Sequence, residues 1–126
     1  IKRSIESHLR NNYFITLPFY KVRDPYTFIL KDKNKNFKDI LQKREVNFRH
    51  KFGDSDCGLF ICKTKLIKDN LPKLIQNKKI ITKKTKEHDF LKSLKFFSKI
   101  ININLIRASS TIETKGINFK KDINLK

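Results

Sequence analysis

Residues Asp54 to Cys62 constrain this chain more than any other stretch. The run Asp54-Ser55-Asp56-Cys57-Gly58-Leu59-Phe60-Ile61-Cys62 opens on polar residues, passes a glycine and continues apolar up to Lys63. A short apolar run of this kind suits a strand buried on both faces, and such strands belong to sheets covered by helices. Helical and strand periodicities alternate around it. Ile1, Ile5 and Leu9 recur every four residues and predict a helix over residues 1–11. Tyr13 to Val22 is aromatic and β-branched and predicts a strand, with Pro18 confining it to an edge or a bulge. Asp24-Pro25 marks a turn. Tyr26–Leu30 and Phe37–Gln42 flank the turn Asp32-Lys33-Asn34-Lys35-Asn36 and predict a hairpin.

Lys43 to Gly53 reads as a polar loop. After the strand expected over Cys57–Lys63, Thr64 is the expected N-cap of a helix from Lys65 to Gln76. Pro72 should break or kink that helix near Asn70. Residues 77–86 read as a lysine-rich loop. Phe90, Leu91, Leu94, Phe97 and Ile100 place a helix over residues 86–100. Ile101–Arg107 follows as a strand, Ala108–Ile112 as a loop, and Lys120 onward as the start of a helix. This order predicts an α/β fold with a mixed sheet and an inserted hairpin, without internal repeats.

The length of 126 residues fits one domain or part of one. The chain contains no methionine and opens on Ile1, so a fragment lacking an upstream segment is expected. No secretory signal is visible at the start. No apolar run approaches the roughly 20 residues of a membrane span, so a cytoplasmic protein is expected, with no membrane partner. The net charge of +18 points to nucleic acid or an anionic surface. The abundance of Lys, Asn, Ile and Phe, all with AT-rich codons, gives the same balance without a partner. The lysines are spread along the chain rather than gathered in a block, so a solvated surface is the first expectation. Cys57 and Cys62 are five apart and point to opposite faces of a strand, so they are expected to be free, buried and reduced. His8, His50 and His88 are isolated and form no zinc-ligand spacing.

The residues alone show no nucleophile-base pair and no glycine-rich phosphate loop. Gly58 and Gly116 stand at a strand start and in a turn, where a ligand can approach closely. Asp56 and Asn118 lie beside them. An Asp there accepts hydrogen bonds from hydroxyls, and an Asn offers an amide oxygen to a hydroxyl, a phosphate or a hard cation. The bland alternatives are a solvated turn carboxylate for Asp56 and an Asx-turn residue for Asn118.

Several short segments, in order, resemble the later half of a sugar-phosphate nucleotidyltransferase domain. They are Glu6-Ser7-His8-Leu9, Asp24-Pro25 with Tyr26-Thr27-Phe28-Ile29, Ile40-Leu41-Gln42-Lys43-Arg44-Glu45, Asp56-Cys57-Gly58-Leu59, Glu87-His88-Asp89-Phe90 and Glu113-Thr114-Lys115-Gly116-Ile117-Asn118. Asp122 fits the family's usual ending. The resemblance implies a three-layer α/β/α nucleotide-diphospho-sugar transferase (Rossmann-like) fold, of which residues 1–126 would be the acceptor-binding part. It implies transfer of a nucleotide from an NTP to a phosphorylated acceptor with loss of pyrophosphate, assisted by Mg²⁺. Thr27, Gln42, Asp56 and Gly58 would then line the acceptor pocket, and Asn118 would help hold the metal. Thr27 stands where the family has Gly, Gln42 where it has Glu and Asp56 where it has Asn. The NTP-binding loop and the metal-binding Asp would lie upstream, so this stretch alone would be inactive. Two other classes stand beside it: an interaction domain that keeps the fold without the chemistry, and a basic nucleic-acid-binding module. For the last, Phe14, Phe19, Tyr20 and Lys21, and Lys95, Phe96 and Phe97, set aromatics beside lysines at spacings that suit a core. No specific nucleic acid and no oligomeric state follow from the sequence.

Overall fold

A computed structural model describes residues 1–108. Its elements are α1 (Lys2–Arg10), β1 (Ile15–Arg23), β2 (Thr27–Lys31), β3 (Phe37–Gln42), β4 (Phe52–Asp56), β5 (Ile61–Cys62), α2 (Thr64–Gln76), α3 (Phe90–Phe97) and β6 (Ile103–Arg107). They make a small mixed α/β protein with a mixed sheet and a separate hairpin.

The mixed sheet is organised on β1. On one side β6 runs parallel to it, from Ile15↔Ile103 to Phe19↔Arg107. β4 and β5 both pair with it antiparallel, from Phe19↔Asp56 to Arg23↔Phe52 and at Ile15↔Cys62 and Thr16↔Ile61. Phe19 and Ile15 each have partners in two strands, so β4 and β5 share the edge opposite β6. The parallel pair needs a crossover, and α2 and α3 lie in that connection. Between β4 and β5 the pairing is interrupted opposite Pro18, whose carbonyl accepts the Cys57 amide at 3.3 Å. A proline has no N–H to offer a ladder, so the interruption falls where the ladder would lack a donor.

Strand alternation divides the faces of the sheet. Ile15 and Leu17 enter one core with Ile29, Phe37 and Ile40 of the hairpin, Leu66 of α2, Leu94 and Phe97 of α3, and Ile103 of β6. Thr16, fully buried, turns the other way, and its hydroxyl lies 2.8 Å from Nδ1 of His8 on α1. His8 is buried, and that burial, helped by the charge of Lys63, lowers its pKa from 6.5. The unfolded chain therefore takes up a proton at higher pH than the native one. Stability is complete above pH 6.5 and declines as pH falls through the native pKa. Urea midpoints measured from about pH 7.5 down to about pH 5 should fall, and His8→Gln should remove that part of the fall.

The hairpin packs across β4. Gly53 is the contact that permits it, because a Cβ there would run into the ring of Phe28, itself stacked on His50 with centroids 4.1 Å apart. Gly53→Ala is expected to cost about 1–3 kcal/mol by overpacking, read as a lower urea midpoint with an unchanged slope.

Several expectations are corrected. Asp54–Asp56, read as a polar opening, belongs to strand β4, formed by its pairing with β1. The apolar run Cys57–Lys63 is a strand only at Ile61–Cys62. Gly58 adopts φ +69° and its amide binds the Asp56 carboxylate at 2.9 Å, and this turn breaks the run. Lys63, not Thr64, occupies the N-cap of α2, with no side-chain capping bond. Pro72 lies inside α2 without ending it. Both Pro72 and Lys68, whose carbonyl it leaves without a helix partner, are exposed, so water can bind that oxygen. The helix expected over 86–100 is only Phe90–Phe97, because Asp89 caps it by accepting the Leu91 amide at 3.0 Å. Among the described residues no helix is long and apolar enough to cross a membrane.

Candidate functional site

Three of the four expected acceptor residues meet between β2 and β4. Thr27 Oγ1 donates to Asp56 Oδ1 at 2.6 Å and lies 2.6 Å from Ser55 Oγ. Asp56 Oδ2 accepts the Gly58 amide. Tyr20 stands opposite Ser55 in the ladder. Its phenol is pushed above 10.0, chiefly by burial. The result is a pair of hydroxyls beside one carboxylate, both oxygens of which already have donors within the chain.

Gln42 pairs with Thr27 across the hairpin, but its side chain belongs to another network. Its Nε2 donates to Asp89 Oδ2 at 2.5 Å, and its Oε1 accepts Arg44 Nε at 3.0 Å. Arg44 Nη2 reaches the same Asp89 oxygen at 3.0 Å. That hydrogen bond, above all, raises the Arg44 pKa. The carboxylate of Asp89 thus ties β3 to the start of α3, and Gln42 is a tie rather than an open contact. Asn118, the expected metal ligand, lies outside the described residues.

Cys57 and Cys62 are free and half-buried rather than fully buried. Burial, with the Asp56 charge adding at Cys57, pushes each thiol up to about 11. Both are protonated at neutral pH and are weak as nucleophiles or ligands. Among the described residues no group of three or more His, Cys, Asp or Glu is placed to hold a metal ion.

The segment read as a polar loop builds an open site. Asp24, Lys43, Asn47, Phe48, Arg49, His50 and Lys51 line a concavity of about 600 Å³. The Asp24 amide donates to the Lys51 carbonyl at 2.9 Å, which joins the loop to the end of β1. Lys43 is paired with Asp24. Arg23, Arg49 and Lys51 are exposed and have no carboxylate partner among the described residues. Phe48 stands 5.9 Å from both Phe28 and His50, and Tyr26 and Phe52 are more than half exposed nearby. The signal for this site was the interleaving Phe48-Arg49-His50-Lys51-Phe52. Of the aromatics read as core, Phe97 is core and Phe19 packs against it. Phe14 is 44% exposed, with Lys63 Nζ 4.5 Å from its ring centroid. Compared with known proteins, no family model matches the chain and no curated protein matches it.

Proposed function

We propose that this protein is a non-catalytic basic domain that binds an anionic chain, with single-stranded nucleic acid as the class that fits. The observation that carries this is the open concavity at residues 43–51, where cations without a carboxylate partner among the described residues stand among aromatic rings. Cations supply sequence-independent attraction to phosphates. Exposed rings stack on bases, which only a single strand offers freely. The net charge of +18 supports a partner of opposite sign. The test is fluorescence anisotropy with a labelled single-stranded oligonucleotide and its duplex of equal length. Tighter binding of the single strand supports the proposal. Equal binding of both, or none, contradicts it. The two free thiols are in keeping with a reducing compartment such as the cytoplasm.

A second reading is the nucleotidyltransferase of three-layer α/β/α type, using Mg²⁺, an NTP and a phosphorylated acceptor. It is favoured by one observation, the meeting of Thr27, Asp56 and Gly58. An acceptor would have to displace Thr27 or the Gly58 amide to reach the Asp56 carboxylate. Pyrophosphate release by a longer chain carrying this domain, from any NTP with a phosphorylated acceptor, would support this reading. No release from any pairing would remove it.

A further inference from the structure

A second cavity, of about 250 Å³, opens between β3 and α3. Its lining combines Lys79, Lys83, Lys92 and Lys95 with Asp39 and Glu45, over the apolar floor of Leu41, Val46 and Phe96. Two of these lysines are engaged: Lys92 Nζ donates to the Ile81 carbonyl at 2.8 Å, and Lys95 Nζ lies 3.3 Å from Asp39 Oδ2. Lys79 and Lys83 have no carboxylate partner among the described residues. Glu45 is held by one oxygen, since its Oε2 accepts the Lys83 amide at 2.7 Å. Its Oε1 is buried and has no hydrogen-bond partner among the described residues.

A buried acceptor without a donor is costly, and more so when it carries charge. A ligand that brings a donor to Oε1 removes that cost. The excess of lysines in the lining requires that the same ligand be an anion, because a simple cation would be repelled. The volume admits a molecule of a few carbon atoms and not a drug-sized one. We propose that this cavity binds a small hydroxy-acid anion. Its hydroxyl donates to Glu45 Oε1 and its carboxylates lie against the Lys79 and Lys83 ammonium groups. This cavity and the concavity of Lys43, Arg49 and Lys51 share no lining residue, although both draw on the segment 43–51, so the anion site stands whether or not the protein binds nucleic acid.

Malate and succinate differ by one hydroxyl and are the probes. Each is titrated into the full chain and followed by amide NMR. Malate is expected to shift residues 39–46 and 79–96 and to bind about tenfold tighter than succinate, the worth of one hydrogen bond to a charged acceptor. Glu45→Gln keeps the shape but leaves one acceptor where two are used, and it should abolish the malate advantage. Lys79→Ala, at an exposed position, should weaken both anions alike without unfolding the protein. Equal affinity for malate and succinate, shifts elsewhere, or no binding of either overturns the proposal. An unchanged malate advantage in Glu45→Gln also overturns it.

Discussion

Reversing the charge of Arg23, Arg49 and Lys51 together, each to glutamate, is expected to reduce affinity for single-stranded oligonucleotide by on the order of a hundredfold at low salt. The three cations are exposed and have no carboxylate partner among the described residues; Arg49 and Lys51 line the concavity, and Arg23 precedes its lining residue Asp24. Folding therefore does not depend on pairing them, and a chain of phosphates can. The dependence of log affinity on log salt should also become shallower by about 0.7 per cation removed. Unchanged far-ultraviolet circular dichroism would show that the fold is kept. A control triple at Lys65, Lys68 and Lys73, on the exposed surface of α2, changes the net charge equally. If the control weakened binding as much, the attraction would belong to the whole charge and not to the concavity.

Asp89→Ala is expected to cost about 3 kcal/mol of stability. Loss of the helix cap costs roughly 1 kcal/mol. Leaving the Gln42 amide without its partner adds about 1–3 kcal/mol. Asp89 is 8% exposed, whereas the Arg44 side chain is 35% exposed, so water takes over most of what the guanidinium loses. Asp89→Asn keeps an acceptor for the Leu91 amide and should lose less. A urea midpoint for Asp89→Ala equal to that of the unaltered protein would show that β3 and α3 are held by their apolar contacts alone.

What the sequence made legible was local. The hairpin was readable because its turn is specified by its own residues: Asp32 Oδ1 accepts the amides of Asn34 and Asn36, and Lys35 takes φ 64°. Helix α1 was readable from a spacing of four. Strand β4 was not, because Gly53, Asp54, Ser55 and Asp56 carry no strand propensity, and β1 imposes the extended form on them. The break at Gly58 needed the knowledge that Asp56 would bind its amide. Thr27, Asp56 and Gly58 were singled out together and do meet, but as a self-satisfied cluster. Gln42 was singled out as a contact and proved to be a tie to Asp89, a partner 47 positions away that no local pattern announces. Lys43–Gly53 reads as a polar loop, and its aromatics follow no strand or helix period, which is how exposed rings differ from core ones.

The salt dependence of oligonucleotide binding tests the central claim most directly. Affinity of the full chain for one labelled single strand is measured across a range of potassium chloride concentrations. Binding through phosphates predicts a straight line of negative slope, with log affinity falling by about 0.7 per phosphate neutralised on a single strand. With Arg23, Arg49 and Lys51 as contacts, a slope of about −2 or steeper is expected. A flat line, or no binding at low salt, would contradict the account and return the excess of positive charge to a solvated surface.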